Sequence, residues 1–367
     1  MHFKITFVKS INFFFFIFFL IIILSCVKQP NYPDDNNISV DTLEGAYILC
    51  EGLWHYDNSS LSRYNFIDKS VINDFFSKSN PGFKLGDLAN FIFLYKDFAY
   101  IAVSTAQTIE CINIKSGKSI GRLKINGNRQ PREIFIFNDS LGYITDLYTH
   151  SVICFNPTKL EIIKTDILCG PAPEGISSFG NYLYVANSGY GDYLANEPKA
   201  GTISIIDLFS NKEINNIYCG PNTCEVIVNA KRNTFYGVYY HLPSKLDSIG
   251  GIIEFDLKSN YILREWKINA YNVLITPGGD TLLFLNTKGV FLIDLNTNTE
   301  PELLIRNKNN LEHWYALAFC PKDNTVWVGN AKNYQMNGEI LIFNLKNTEY
   351  PINRFTVGVN PAQIVFF

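Results

Sequence analysis

Three glutamates of this 367-residue chain stand just ahead of apolar runs: Glu133 in PREIFIF, Glu174 in PEGISSF and Glu225 in TCEVIVN. Carboxylates brought close together can do general acid–base work, and Glu174 with Glu225 would be the pair in a hydrolase or lyase. The other parts such reactions need are not visible. No serine or cysteine nucleophile comes with a spaced base, and no glycine-rich loop is built to cradle phosphate. The five histidines (His2, His55, His150, His241 and His313) lack ligand spacing, so no metal or other cofactor is expected. Asp207, Asp256 and Asp294 recur at one position of a repeat, which marks a turn role rather than a reactive one.

Binding chemistry is better supplied. Aromatic residues make up 15% of the chain and charged residues 18%, a balance too apolar for disorder. Several aromatics fall in polar stretches: Trp54 and Tyr56 in EGLWHYDNS, Tyr148 in DLYTH, Tyr190 and Tyr193 in SGYGDYLANEPKA. Tyr240 and His241 open YHLPSKLDSIG, and Tyr334 lies in AKNYQMNG. Such side chains offer broad apolar contact and a polar tip with little rotamer entropy to lose. The formal charge is only -3 and no basic cluster occurs, which argues against nucleic acid as a partner.

The elements that must hold these residues repeat along the chain. Seven segments align: DLANFIF, PREIFIF, PEGISSF, TCEVIVN, YNVLITP, WYALAFC and PAQIVFF. Their apolar anchors are Phe91, Ile134, Ile176, Val226, Leu274, Leu317 and Ile364, spaced by 43, 42, 50, 48, 43 and 47 positions. Each of the first six is followed by three more short apolar runs, the third joined to the fourth by turn residues such as KSGK, NPTK and FSNK. No helical periodicity of useful length appears. Four short strands per repeat of this size describe a β-propeller blade.

The chain ends fix the ring. GAYILCEG, SLSRYNF and SVINDFF supply only three strands at the start, while PAQIVFF is a lone first strand at the end. Joined, they complete a blade and protect strand edges that an open array would expose. The predicted fold is therefore all-β, a seven-bladed propeller of four-stranded antiparallel blades closed by the C-terminal strand.

In a propeller the first strand of each blade lines the central channel, and two sets of loops open on one face. The fold collects an inner ring of Arg129, Arg132, Glu133, Glu174, Glu225, Asn272, His313, Tyr315 and Gln363. An outer ring holds Trp54, His55, Tyr56, Asp146, Tyr148, His150, Tyr190, Tyr193, Tyr240, His241, Asn330 and Tyr334. Long loops fall on this face in blades one, four, five and seven. The bland alternative is that the aromatics pack over neighbouring blades and that Arg132, Glu133, Glu174 and Glu225 pair among themselves.

YVAN at 184–187, the following GTISIID and the later CGPNTCE resemble the Tyr-Val-Thr-Asn repeat of YncE-like seven-bladed propellers. YITDLYTHSVICFN, CEGLWHYDNSSLSRYN and GVNPAQIVFF are similar to propeller lipoproteins of Bacteroidota. Some members of that broad group are surface lipoproteins that capture cobalamin beside an outer-membrane transporter. The resemblance implies a fold over essentially residues 45–367 and a binding role.

The N-terminus reads as an export signal. Lys4 and Lys9 precede INFFFFIFFLIIIL, and Ile23, Leu24 and Ser25 ahead of Cys26 resemble a bacterial lipobox. Residues 1–25 are then a signal peptide, Cys26 carries the acyl chains, 26–43 form a tether and 44–367 the propeller. Seven cysteines remain in the body; most sit in apolar strand contexts that suit small buried hydrophobes, while Cys219 and Cys224 flank GPNT and are spaced for a local bridge.

These readings lead to one expectation: a non-catalytic, lipid-anchored outer-membrane protein that captures a small nutrient, cobalamin-like or a glycan, with an outer-membrane transporter as its candidate partner. An enzyme using the channel-mouth carboxylates and a protein–protein scaffold are the alternatives.

Overall fold

The computed structural model describes residues 42–245, 247–309 and 312–367. The first blade begins with β1 (Gly45–Cys50), β2 (Ser60–Asn65) and β3 (Val71–Ile72), followed by a short helix α1 (Phe75–Ser79). Blade two is β4 (Ala89–Tyr95), β5 (Phe98–Val103), β6 (Thr108–Asn113) and β7 (Ser119–Lys124). Blade three is β8 (Pro131–Asn138), β9 (Leu141–Asp146), β10 (Ser151–Asn156) and β11 (Glu161–Leu168). Blade four is β12 (Pro173–Phe179), β13 (Tyr182–Asn187), β14 (Thr202–Asp207) and β15 (Lys212–Tyr218). Blade five is β16 (Thr223–Asn229), β17 (Thr234–Tyr239), β18 (Gly251–Asp256) and β19 (Ile262–Trp266). Blade six is β20 (Tyr271–Ile275), β21 (Thr281–Asn286), β22 (Gly289–Asp294) and β23 (Glu302–Arg306). Blade seven is β24 (Trp314–Cys320), β25 (Thr325–Asn330), β26 (Asn337–Asn344) and β27 (Asn353–Val359). β28 (Pro361–Phe366) returns to pair with β1, so blade one is ordered β28-β1-β2-β3 and the ring is closed as the repeat predicts.

Blades are held together by apolar faces, because a four-stranded sheet must bury both sides against its neighbours. Seven apolar clusters fill the seven gaps between blades. The second strand is buried at every position in blades one, five and seven, as β1, β17 and β25. At the closing joint Trp327 of blade seven meets Tyr64 of blade one edge-on, with ring centroids 5.1 Å apart. The recurrent aspartates do close turns: Asp207, Asp256 and Asp294 each accept an N–H two or three residues on.

One element departs from the sequence reading. SVINDFF gives only a two-residue strand, and its two phenylalanines leave the sheet in α1. Both are buried, with Phe75 packed where Gly117 leaves room: a Cβ there would lie 2.4 Å from the Phe75 ring. Asn80 holds this plug in place, its Nδ2 donating to the Phe76 and Gly117 carbonyls at 2.9 and 2.8 Å. A five-residue helix has no periodicity to detect, which is why it is invisible in the sequence.

Candidate functional site

The channel residues owe their positions to a shared backbone irregularity. Each inner strand breaks its pairing register near its start: β4 between Ala89 and Phe91, β8 between Pro131 and Ile134, β12 between Pro173 and Ile176. The same shift occurs in β16 between Thr223 and Glu225, in β20 between Tyr271 and Leu274, and in β24 between Trp314 and Ala316. β28 shifts opposite Leu49 and Cys50. A bulge inserts an unpaired residue and re-aims its side chain. Here the spared residues include Asn90, Arg132, Glu133, Glu174, Cys224, Asn272 and Tyr315, and all seven line one cavity of about 950 Å³.

Ten candidates meet in that cavity: Arg132, Glu133, Glu174, Glu225, Tyr240, His241, Asn272, His313, Tyr315 and Tyr334. Six of the repeat anchors (Phe91, Ile176, Val226, Leu274, Leu317 and Ile364) also line it, giving an apolar floor beneath the polar ring. On one side His313 stacks on Tyr334 at 4.8 Å, and Tyr315 meets Tyr334 edge-on at 5.7 Å.

The polar ring is cross-linked between blades. Glu133 accepts the Ile176 N–H at 3.0 Å, and Gln363 accepts the Ile92 N–H at 2.7 Å. Glu225 accepts three donors: Tyr240 Oη at 2.6 Å and the Asn272 and Val273 amides, each at 2.9 Å. Arg132 pairs with Glu174 at 3.0 Å. Glu51 accepts from Asn90 Nδ2 at 2.7 Å and from Tyr315 Oη at 2.8 Å. These bonds stitch the inner strands and fix the side chains in the channel wall.

Burial in the ring shifts protonation. The Glu133 carboxyl is pushed up to about 8, chiefly by loss of solvent, with the Ile176 amide opposing. Burial raises Glu225 as well, against its Tyr240 and backbone donors. For Arg132, burial disfavours the charge, but Glu174 and Glu51 together outweigh it and hold the guanidinium protonated. The Cys224 thiol is raised by burial and by the facing Glu174 and Glu225, so it stays neutral and is a weak nucleophile.

A family model described as "Domain of unknown function (DUF5074)" matches residues 44–357, nearly the whole of this propeller. The chain belongs to that family. No curated protein matches it. Among solved structures, the DUF5074 propeller is similar to a quinonprotein alcohol dehydrogenase-like protein from Bacteroides thetaiotaomicron (TM-score 0.67, 13% identity, 88% of this chain and 78% of that one). Hydrazine synthase from Kuenenia stuttgartiensis gives 0.60 at 16% identity, covering 77% of this chain and 92% of that one. Apo AztD from Citrobacter koseri gives 0.58 at 13%, covering 88% and 97%. Identities this low describe shared architecture alone.

The remaining candidates of the DUF5074 domain lie outside the cavity. Trp54 and Tyr56 are 63% and 69% exposed on the blade-one loop, with the Trp54 ring tilted against His55 at 4.0 Å. Tyr148 is exposed above blade three. Tyr190 and Tyr193 pack edge-on against each other, and Tyr193 is 80% exposed. Their loop is nonetheless anchored: Asp192 accepts the Ser244 N–H at 2.7 Å from the blade-five loop, and Gly191 N–H reaches Asn222 Oδ1 at 3.3 Å. Arg129 is spent within blade three on Asp146 and Asp166. All seven described cysteines are free thiols, so Cys219 and Cys224 are not bridged. Cys219 is buried in the interblade core, whereas Cys224 turns into the channel. Cys26 lies outside the described residues.

Among the wall residues that escaped the sequence reading are Glu51 and Tyr271. Glu51 follows β1 directly, the place that Tyr240 holds after β17, so comparing repeat positions would have found it. Tyr271 opens β20 at the place held by prolines in blades three and four, and its aromatic character was the available signal.

Proposed function

We propose that this DUF5074 propeller binds a small polar molecule in the mouth of its central channel and does not chemically transform it. The observation that carries the reading is the convergence of bulged inner strands on one cavity of about 950 Å³, within the range of small-molecule sites. Against catalysis, Glu225 already accepts three donors and Cys224 is a neutral thiol. A group that must exchange protons needs a free lone pair aimed at substrate.

The biological setting belongs to the same proposal: an exported protein, acylated at Cys26, that captures a nutrient such as a corrinoid or glycan at the outer membrane and passes it to a transporter. The described fold starts at Thr42 on the face opposite the channel mouth, where Leu43 accepts from Lys322 and Glu44 pairs with Lys115. A tether from Cys26 would thus enter the far side and leave the mouth pointing away from the bilayer.

Titration calorimetry with cobalamin, oligosaccharides and small charged metabolites tests the binding claim. Saturable heat that is weakened in Tyr334→Leu, on the cavity wall, supports it; silence across all three classes, with no turnover of ester, lactone or glycoside substrates, points instead to a protein partner. Incorporation of a palmitate analogue, lost in Cys26→Ala, tests the anchor.

A further inference from the structure

Deepening the binding reading above, we infer that the channel's ligand is an organic cation, an ammonium or guanidinium group carried on a small apolar body.

The cavity holds four carboxylates, those of Glu51, Glu133, Glu174 and Glu225, but a single guanidinium, that of Arg132. Arg132 is matched by Glu174 at 3.0 Å, so that pair is internally neutral. Glu133 keeps its proton near neutral pH because of burial. Glu51 and Glu225 remain. Neither forms an ion pair among the described residues: Glu51 is bonded to Asn90 and Tyr315, with Arg132 acting on it only from beyond contact distance, and Glu225 is bonded to Tyr240 and two backbone amides. A partly enclosed wall with surplus negative charge attracts a positive group and repels an anion.

The cavity's other surfaces are independent of that charge and suit the same ligand. Tyr271, His313, Tyr315 and Tyr334 line one side of the same space, and a cation within about 6 Å of such ring faces is attracted by their quadrupoles. Tyr315 donates its hydroxyl to Glu51, so aromatic face and carboxylate are presented together by one hydrogen bond. One or two residues further along six of the inner strands, Phe91, Ile176, Val226, Leu274, Leu317 and Ile364 supply apolar contact for the ligand's body. A neutral sugar would leave the floor unused, and a carboxylate-bearing ligand would meet like charge.

The test is a matched series titrated into the full folded protein: choline and butylammonium as cations, 3,3-dimethylbutanol and butanol as neutral shapes, butyrate as the anion. The cations should bind at least about tenfold more tightly than their neutral counterparts, and butyrate should not bind. Glu51→Gln should erase most of that tenfold preference while leaving the circular dichroism spectrum unchanged, because its partners are side chains rather than the strand-linking amides. Tyr334→Leu should weaken choline more than butanol. If neutral shapes or oligosaccharides bind as well as cations, the charge assignment is wrong while the binding reading stands. If nothing in this series or among corrinoids and glycans binds, both are wrong.

Discussion

Glu225 of blade five and Asn272 of blade six are joined across the channel wall, the Asn272 N–H donating to Glu225 Oε1 at 2.9 Å. The second oxygen takes the Val273 N–H at the same distance. One carboxylate thus satisfies two amides that the bulge in β20 leaves without a ladder partner. Glu225→Ala should therefore lower stability by about 2–4 kcal/mol, the cost of two stranded amides. Chemical denaturation would show it as a lower midpoint with unchanged slope. Glu225→Gln should lose less, since its amide oxygen can serve one of the two donors.

Glu133 makes stability depend on pH in an uncommon direction. Its folded value, about 8, lies above the ordinary carboxylate range of about 4.3. The native state therefore binds the proton more tightly than the unfolded chain does. Stability from this group is fullest below the ordinary range, declines as pH rises toward about 8, and is flat beyond. Urea midpoints measured from pH 5 to 9 should fall more steeply for the wild type than for Glu133→Gln. Parallel curves would contradict the assignment.

The exposed tyrosines of the blade-four loop should be dispensable for a channel ligand. Tyr193→Ala removes a ring that is 80% exposed and contacts only Tyr190 among aromatics. Stability should change by less than about 0.5 kcal/mol and channel affinity by less than twofold. A large loss of affinity would move the site outward to the rim.

Thiol chemistry should separate two populations. Cys50, Cys111, Cys154, Cys219 and Cys320 are buried, and burial pushes their thiols up to about 11 or 12. Alkylation of the native protein followed by mass spectrometry should spare these five, and denaturation should expose all of them. Modification of Cys224 should be blocked by a bound channel ligand, since it alone of the seven lines the cavity.

The architecture was readable because it is written locally. Each blade repeats four apolar runs at nearly constant spacing, and the split blade shows in an unmatched first run at Pro361. The channel wall was readable in part for the same reason: Glu133, Asn272 and Tyr315 sit beside the anchors that define the repeat. The stitching was not. That Glu225 serves Asn272 depends on a register shift, and such a shift leaves side-chain alternation looking merely irregular in sequence. The setting of the blade-four loop was not readable for a related reason. Asp192 ties it to Ser244, and that tie depends on how neighbouring blades are set.

The pairing of β28 with β1 has a consequence for synthesis. The innermost strand of the first blade is made last, so β1 must wait with one edge unpaired while some three hundred residues follow it. During that interval the nascent chain is an arc with two open ends, vulnerable to pairing with other chains. A premature stop shortly before Pro361 would not yield a smaller ring; it would yield an arc that never closes.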